Sequence, residues 1–254
     1  MDALAAFREL DTTRMSLLST RALPLDGGTA YFDDDYPERY ISNLLIVDDA
    51  DAPAERLVRT AEQIQGGASL AHRRIRVRDD AAGIRLAPSL HAKRYADERV
   101  VVMLLRRPSD RRAAVAVEEC RFDDVRDLTE QVYRRDLPTH PEAATRFVEQ
   151  HGRWDRILGT RRFVVRVDGV AAGQCELYAI GPDAQIEYVD TLEEYRGRGI
   201  ATAVVLAAID AANADGPRHV FICADADDWP KTFYERLGFD PIGREWEFTR
   251  HPTT

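Results

Sequence analysis

The segment Glu194-Tyr195-Arg196-Gly197-Arg198-Gly199-Ile200-Ala201 has the residue types of an anion site. Its glycines let a backbone turn tightly and bring N–H groups up to a ligand. The apolar, alanine-rich stretch 200–214 that comes next predicts a helix. The first N–H groups of a helix lack intrahelical partners and carry a partial positive charge. A phosphate or pyrophosphate suits such a place, and Arg196 and Arg198 add fixed charge. The spacing is neither G-x-x-x-x-G-K-S/T nor G-x-G-x-x-G, which excludes a nucleotide P-loop and a dinucleotide fingerprint.

A second segment with chemistry runs Asp228-Trp229-Pro230-Lys231-Thr232-Phe233-Tyr234-Glu235-Arg236-Leu237-Gly238-Phe239, a short helix stopped by glycine. The loop reads as R-x-x-G-x-A at Arg196, Gly199 and Ala201, and the helix ends in Y-x-R-x-G-F from Tyr234. This pair of motifs, in this order, resembles the GNAT acetyltransferase superfamily. The resemblance covers residues 113–254 well, whereas the first half resembles the family only in coarse element order and lacks the loop.

The resemblance implies a mixed α/β fold: a V-shaped mixed sheet flanked by helices, in two tandem GNAT-like domains. It implies N-acetyltransferase activity, with acetyl-CoA as donor and an amine, on a small molecule or a protein, as acceptor. The donor's pyrophosphate is expected on the amides of Arg196, Gly197, Arg198, Gly199, Ile200 and Ala201, and its pantetheine arm along the backbone of Val189 and Thr191. Tyr234 matches the general acid; a phenol is protonated at neutral pH and can donate to a leaving thiolate. The family often has Asn seven residues before this tyrosine, where this chain has Asp227; an ionised carboxylate can accept from pantetheine but cannot donate. For the base, Glu187 and Glu176 stand as alternatives. Strand alternation from 186 to 191 places Glu187, Val189 and Thr191 on one face. No motif places a nucleophile for a covalent intermediate, so direct transfer in a ternary complex is expected. A catalytically silent acyl-CoA-binding regulatory module is the alternative.

These residues need a frame to hold them. Strands are expected at Ala113–Cys120, Arg162–Val167, Ala171–Tyr178, Ile186–Thr191, His219–Ala224 and Glu245–Phe248. Helices are expected at 123–135, 142–154, 200–214 and 230–237, with Leu137-Pro138 breaking the first pair. Residues 40–105 echo the order of 186–248, strand-helix-strand-helix-strand, which suggests a diverged internal duplication. The basic run Arg106–Arg112 suits a linker, giving domains at 1–107 and 108–254.

Composition sets the outer limits. The chain has 254 residues, 44% hydrophobic and 31% charged, enough apolar material for a core without a disulfide or metal staple. Its net charge of −9 makes it a poor general binder of nucleic acid. The three cysteines form no C-x-x-C pair and the histidines no metal spacing, so no metal is expected. The sequence shows neither signal-peptide order at its start nor an apolar run long enough to span a bilayer, and the expected location is cytoplasmic.

Overall fold

The structure is a computed structural model describing residues 2–137 and 141–252; the expected break at Pro138 lies outside the described residues. Along the chain run α1 (Ala3–Leu18), β1 (Arg21–Leu25), β2 (Gly28–Phe32), β3 (Leu44–Val47), α2 (Ala54–Ala61), β4 (Arg73–Val77), α3 (Asp80–His91) and β5 (Ala96–Leu105). After these come β6 (Glu118–Cys120), α4 (Arg126–Asp136), α5 (Ala143–Leu158), β7 (Arg161–Val167), β8 (Val170–Ile180), β9 (Asp183–Thr191), α6 (Ile200–Asp215), β10 (His219–Asp225), α7 (Pro230–Arg236) and β11 (Phe239–Arg250). This is a mixed α/β fold with a mixed sheet flanked by helices.

The chain divides into two compact units made of interleaved segments. The first holds Met1–Asp11, Met103–Cys223 and Thr232–Pro241; the second holds Thr12–Val102, Ala224–Lys231 and Ile242–Thr254.

In the first unit the strands lie in the order β6-β7-β8-β9-β10, antiparallel from β6 to β9 and parallel between β9 and β10. A two-residue turn at Asp168-Gly169, with φ values of 51° and 83°, joins β7 to β8, as expected where a hairpin turn must match strand twist. One side of β8 packs on α6 through Cys175, whose Sγ lies 3.1 Å from the Val204 carbonyl. The other side is covered by α4 and α5: Gln174 donates to Thr129 and Glu176 meets His151. Ile200, Ala203, Val204, Val205, Ala208, Ile209 and Ala212 of α6 are buried, which an alanine-rich helix achieves with little side-chain entropy lost.

The second unit pairs β1-β2-β3 antiparallel, β3 with β4 parallel, and β4 with the Trp246–Arg250 part of β11 antiparallel. The order strand-helix-strand-helix-strand therefore recurs from β3 to β5 and from β9 to β11, each time opening with a parallel pair. The echo is not a simple repeat, because the last strand of the chain pairs with β4 of the N-terminal half.

One expected strand is shorter than its alternation suggested. Only Glu118–Cys120 of Ala113–Cys120 pairs in the sheet. Ala113, Val115 and Val117 line a cavity with Ala203, Leu206 and Ala207 of α6, so the alternation reports packing on a helix.

Candidate active site

The glycine-rich loop leaves β9 through a single 3-10 turn, Glu193–Tyr195, and enters α6 at Gly199. Gly197 and Gly199 have φ values of 76° and 79°, in the left-handed region that a side chain disfavours. Gly199 is the N-cap of α6 and supplies no side-chain cap, so the first-turn N–H groups of α6 are left for a ligand. Arg196 is exposed and extended, and makes no side-chain hydrogen bond or ion pair among the described residues. Arg198 donates to the Glu194 carbonyl at 3.1 Å and lies over the Tyr195 ring. The start of α6 is pressed onto β8 at Gly173: a Cβ there would come within 2.6 Å of Ile200 Cγ2 and 2.7 Å of the Asp190 carbonyl oxygen.

Beside the loop, β9 parts from β10. Their parallel ladder runs from Asp183↔His219 to Ile186↔Ile222 and stops, while β9 continues to Thr191. Burial tracks the parting: Asp183 to Ile186 are buried, and Glu187 to Thr191 are half-buried. Strands that part leave backbone N–H and C=O groups unpaired, and such groups can receive an extended ligand as an added strand. Val189 and Thr191 lie in this segment, and Thr191 Oγ1 is buried with no hydrogen-bond partner among the described residues.

A bulge corrects the expected alternation. The β8–β9 register passes from Glu176↔Glu187 to Gln174↔Asp190, so Tyr188 and Val189 together stand opposite Cys175. Cross-strand partners share a face, which puts Glu187 and Asp190 on the side of Gln174 and Glu176, toward α4 and α5. Thr191 pairs with Gly173 and faces α6 instead. Glu187 and Thr191 are thus on opposite faces, because an extra residue inverts everything beyond it. Glu187 accepts from Gln185 Nε2 at 2.8 Å. Burial pushes the Asp190 carboxyl above the ordinary range, and Arg135, 3.2 Å away on α4, holds it back.

Tyr234 is buried on α7, packed against Phe233 and Phe239 with ring centroids at 5.2 and 6.3 Å. Its hydroxyl has no hydrogen-bond partner among the described residues. Burial first, then Cys175, Asp190 and Cys223, hold the phenol well above the usual tyrosine range. The groups that act on it therefore come from β8, β9 and β10. Asp227 belongs to the second unit, where Arg99 grips its carboxylate through Nε at 2.9 Å and through a second guanidinium nitrogen.

The family described as Acetyltransferase (GNAT) family matches residues 122–239. Residues 122–239 form a GNAT acetyltransferase domain. No curated protein matches the sequence. Among solved structures, a functionally unknown conserved protein from Staphylococcus epidermidis ATCC 12228 is similar over 92% of this chain and 94% of its own, at 17% identity and a TM-score of 0.72. A GCN5-related N-acetyltransferase from Kribbella flavida is 15% identical over 100% of this chain and 97% of its own, with a TM-score of 0.61. A tandem GNAT protein from the clavulanic acid biosynthesis pathway is 17% identical over 83% of this chain and 74% of its own, with a TM-score of 0.58. At these identities the likeness is one of fold.

The GNAT domain also holds a buried polar set around Glu176, whose partners the sequence reading missed. Glu176 meets Arg162 at 2.5 Å and His151 at 2.6 Å, and Tyr133 meets the other nitrogen of His151 at 2.9 Å. Arg162 also donates to Gln174 and Asp155, each at 3.1 Å. Burial alone would raise the Glu176 carboxyl, but His151 and Arg162 bring it below its ordinary value. The signal was present as Arg162, Gln174 and Glu176, polar residues at positions of β7 and β8 that alternate with apolar ones. Among the described residues no cluster of ligating side chains could hold a metal ion, and no helix is long and apolar enough to cross a membrane.

Proposed function

We propose that the chain transfers an acetyl group from acetyl-CoA to a primary amine, on a small molecule or a protein, by direct attack within a ternary complex. The observation that carries this reading is the parting of β9 from β10 after Ile186↔Ile222, immediately before the uncapped N-terminus of α6. The thioester supplies an activated acyl group; the chain supplies position, charge and protons. The amides from Arg196 to Ala201, with the Arg196 and Arg198 guanidinium groups, hold the pyrophosphate. The backbone of Val189 and Thr191 aligns the pantetheine arm, and the unpaired Thr191 hydroxyl adds a polar contact. Glu187 accepts the proton that the acceptor's ammonium form must lose to become the attacking amine, and Tyr234 donates one to the departing sulfur. Asp227 is committed to Arg99 within the second unit, which leaves its expected pantetheine contact without support.

The unit holding residues 12–102 is a GNAT-like copy without donor binding. Its parallel ladder is paired through Val47↔Val77, the last residues of both β3 and β4, so no parted segment remains. Its connection into α2 ends at Pro53 rather than at a glycine loop. The chain should therefore take up one acetyl-CoA, acting as a cytoplasmic enzyme. Release of free thiol from acetyl-CoA across a panel of amines tests the reading. Donor binding without thiol release on any amine would instead support an acyl-CoA-binding regulatory module, and two tight sites per chain would overturn the account of the second unit.

A further inference from the structure

We propose that His151 is a positioning residue that holds open the donor-binding segment of β9 by clamping Tyr188; this rests on that segment being the donor site. Tyr188 has a φ of 49°. The left-handed region is sterically disfavoured for a bulky residue, and such a residue stays there only where its surroundings insist. Tyr188 is also the first of the two residues opposite Cys175, at the bulge just past the last β9–β10 pair. A bulge bends its strand and re-aims the residues beyond it. The backbone at Tyr188 therefore sets the course of Val189 to Thr191.

The His151 ring lies 4.3 Å from the Tyr188 ring, tilted by 42°. His151 is itself fixed on several sides. Its Nε2 meets Glu176 Oε1 at 2.6 Å, and its Nδ1 meets the Tyr133 hydroxyl at 2.9 Å. A carboxylate only accepts, so Nε2 carries a hydrogen, and in the neutral ring Nδ1 accepts from Tyr133. The Phe122 ring packs 5.4 Å away. Glu176 is held in turn by Arg162, and the side chains of His151, Glu176 and Arg162 are 2%, 5% and 0% exposed. A buried charge set of this kind resists rearrangement, because losing one partner strands a charge. The result is an aromatic plate with little freedom, placed against a side chain whose backbone needs holding.

The test uses the full chain and acetyl-CoA. His151→Gln keeps a donor for Glu176 but removes the ring. Calorimetry should show acetyl-CoA bound about tenfold more weakly than by wild type. Adding Tyr188→Gly, which adopts positive φ freely, should bring the affinity back to within roughly threefold of wild type. Unchanged affinity in His151→Gln overturns the clamp, and so does failure of Tyr188→Gly to restore it. If His151→Gln does not fold, Tyr188→Val decides: it leaves His151 and its partners intact and disfavours positive φ, so wild-type affinity there overturns the proposal. A wild-type chain that binds no acetyl-CoA overturns the donor site itself, and the clamp with it.

Discussion

Glu176 and Glu187 stand directly opposite one another on β8 and β9. Like charges in such a pair repel, and Glu176 is neutralised by its surroundings. Glu176 is buried between Arg162 and His151 and held below its ordinary pKa. A carboxylate so placed is a poor base, since its proton affinity is reduced and both partners occupy it. Glu187 is half-buried in the parted segment of β9.

Glu187→Gln should therefore lower kcat by about a hundredfold, the usual worth of a positioned base, while acetyl-CoA affinity moves little. Steady-state rates and calorimetry on the one variant check this. Wild-type turnover in Glu187→Gln would leave deprotonation to water or to Asp190.

Gly199→Val tests the loop. The native φ of 79° is strained for any side chain, and most for a β-branched one. An added Cβ would meet only Ala114 Cβ, at 3.8 Å, so crowding is slight and the effect acts through the backbone. Acetyl-CoA affinity should fall by at least about tenfold, or roughly 1.4 kcal/mol, as the loop amides turn away. Unchanged affinity in a folded variant would remove the loop from the site.

The backbone course of the loop was legible in the residues. The glycines at 197 and 199 and the apolar run after them marked a turn into a helix, and both glycines have positive φ. Asp168-Gly169 marked the hairpin. What escaped was whatever depends on partners distant in sequence. The bulge at Tyr188 has no local signature, since Ile186 to Thr191 reads as an even strand; it emerges only in the pairing of β9 with β8. Likewise β11 reads as the closing strand of its own half, and only pairing decides that it joins β4. His151 and Glu176 are 25 positions apart and meet only through the packing of α5 on β8.

His72 gives a stability prediction for the second unit. It is fully buried, stacked on Tyr40 at 3.8 Å, with Nε2 donating to the Asn43 carbonyl at 2.9 Å and Nδ1 unpaired among the described residues. Burial, the largest cause, lowers its pKa to about 4 from the ordinary 6.5. The neutral form is the folded one, so its contribution is complete above pH 6.5 and is lost as pH falls toward 4. That loss is worth about 3 kcal/mol. Urea unfolding of wild type and His72→Gln, whose amide can also donate to Asn43, should show wild type losing more stability over this interval by about that amount. Parallel curves would exclude His72 as the cause of acid sensitivity.

Tyr234→Phe separates chemistry from packing. The ring contacts with Phe233 and Phe239 survive the change, and only the unpaired hydroxyl is lost. If that hydroxyl protonates the departing thiolate, turnover should fall by on the order of a hundredfold or more. Acetyl-CoA affinity and melting temperature should hardly move, because one hydroxyl contributes about 1 kcal/mol or less to either. Lost rate with kept binding marks an interaction made in the transition state. Burial, the largest influence on Tyr234, with Cys175, Asp190 and Cys223 behind it, keeps the phenol protonated beyond the pH at which a free tyrosine ionises. The wild-type rate should accordingly show no alkaline fall near pH 10 from this group, whereas an exposed phenol would titrate there. A purely packing role predicts the reverse of all this: a shifted melting temperature and near-normal turnover in the Phe variant.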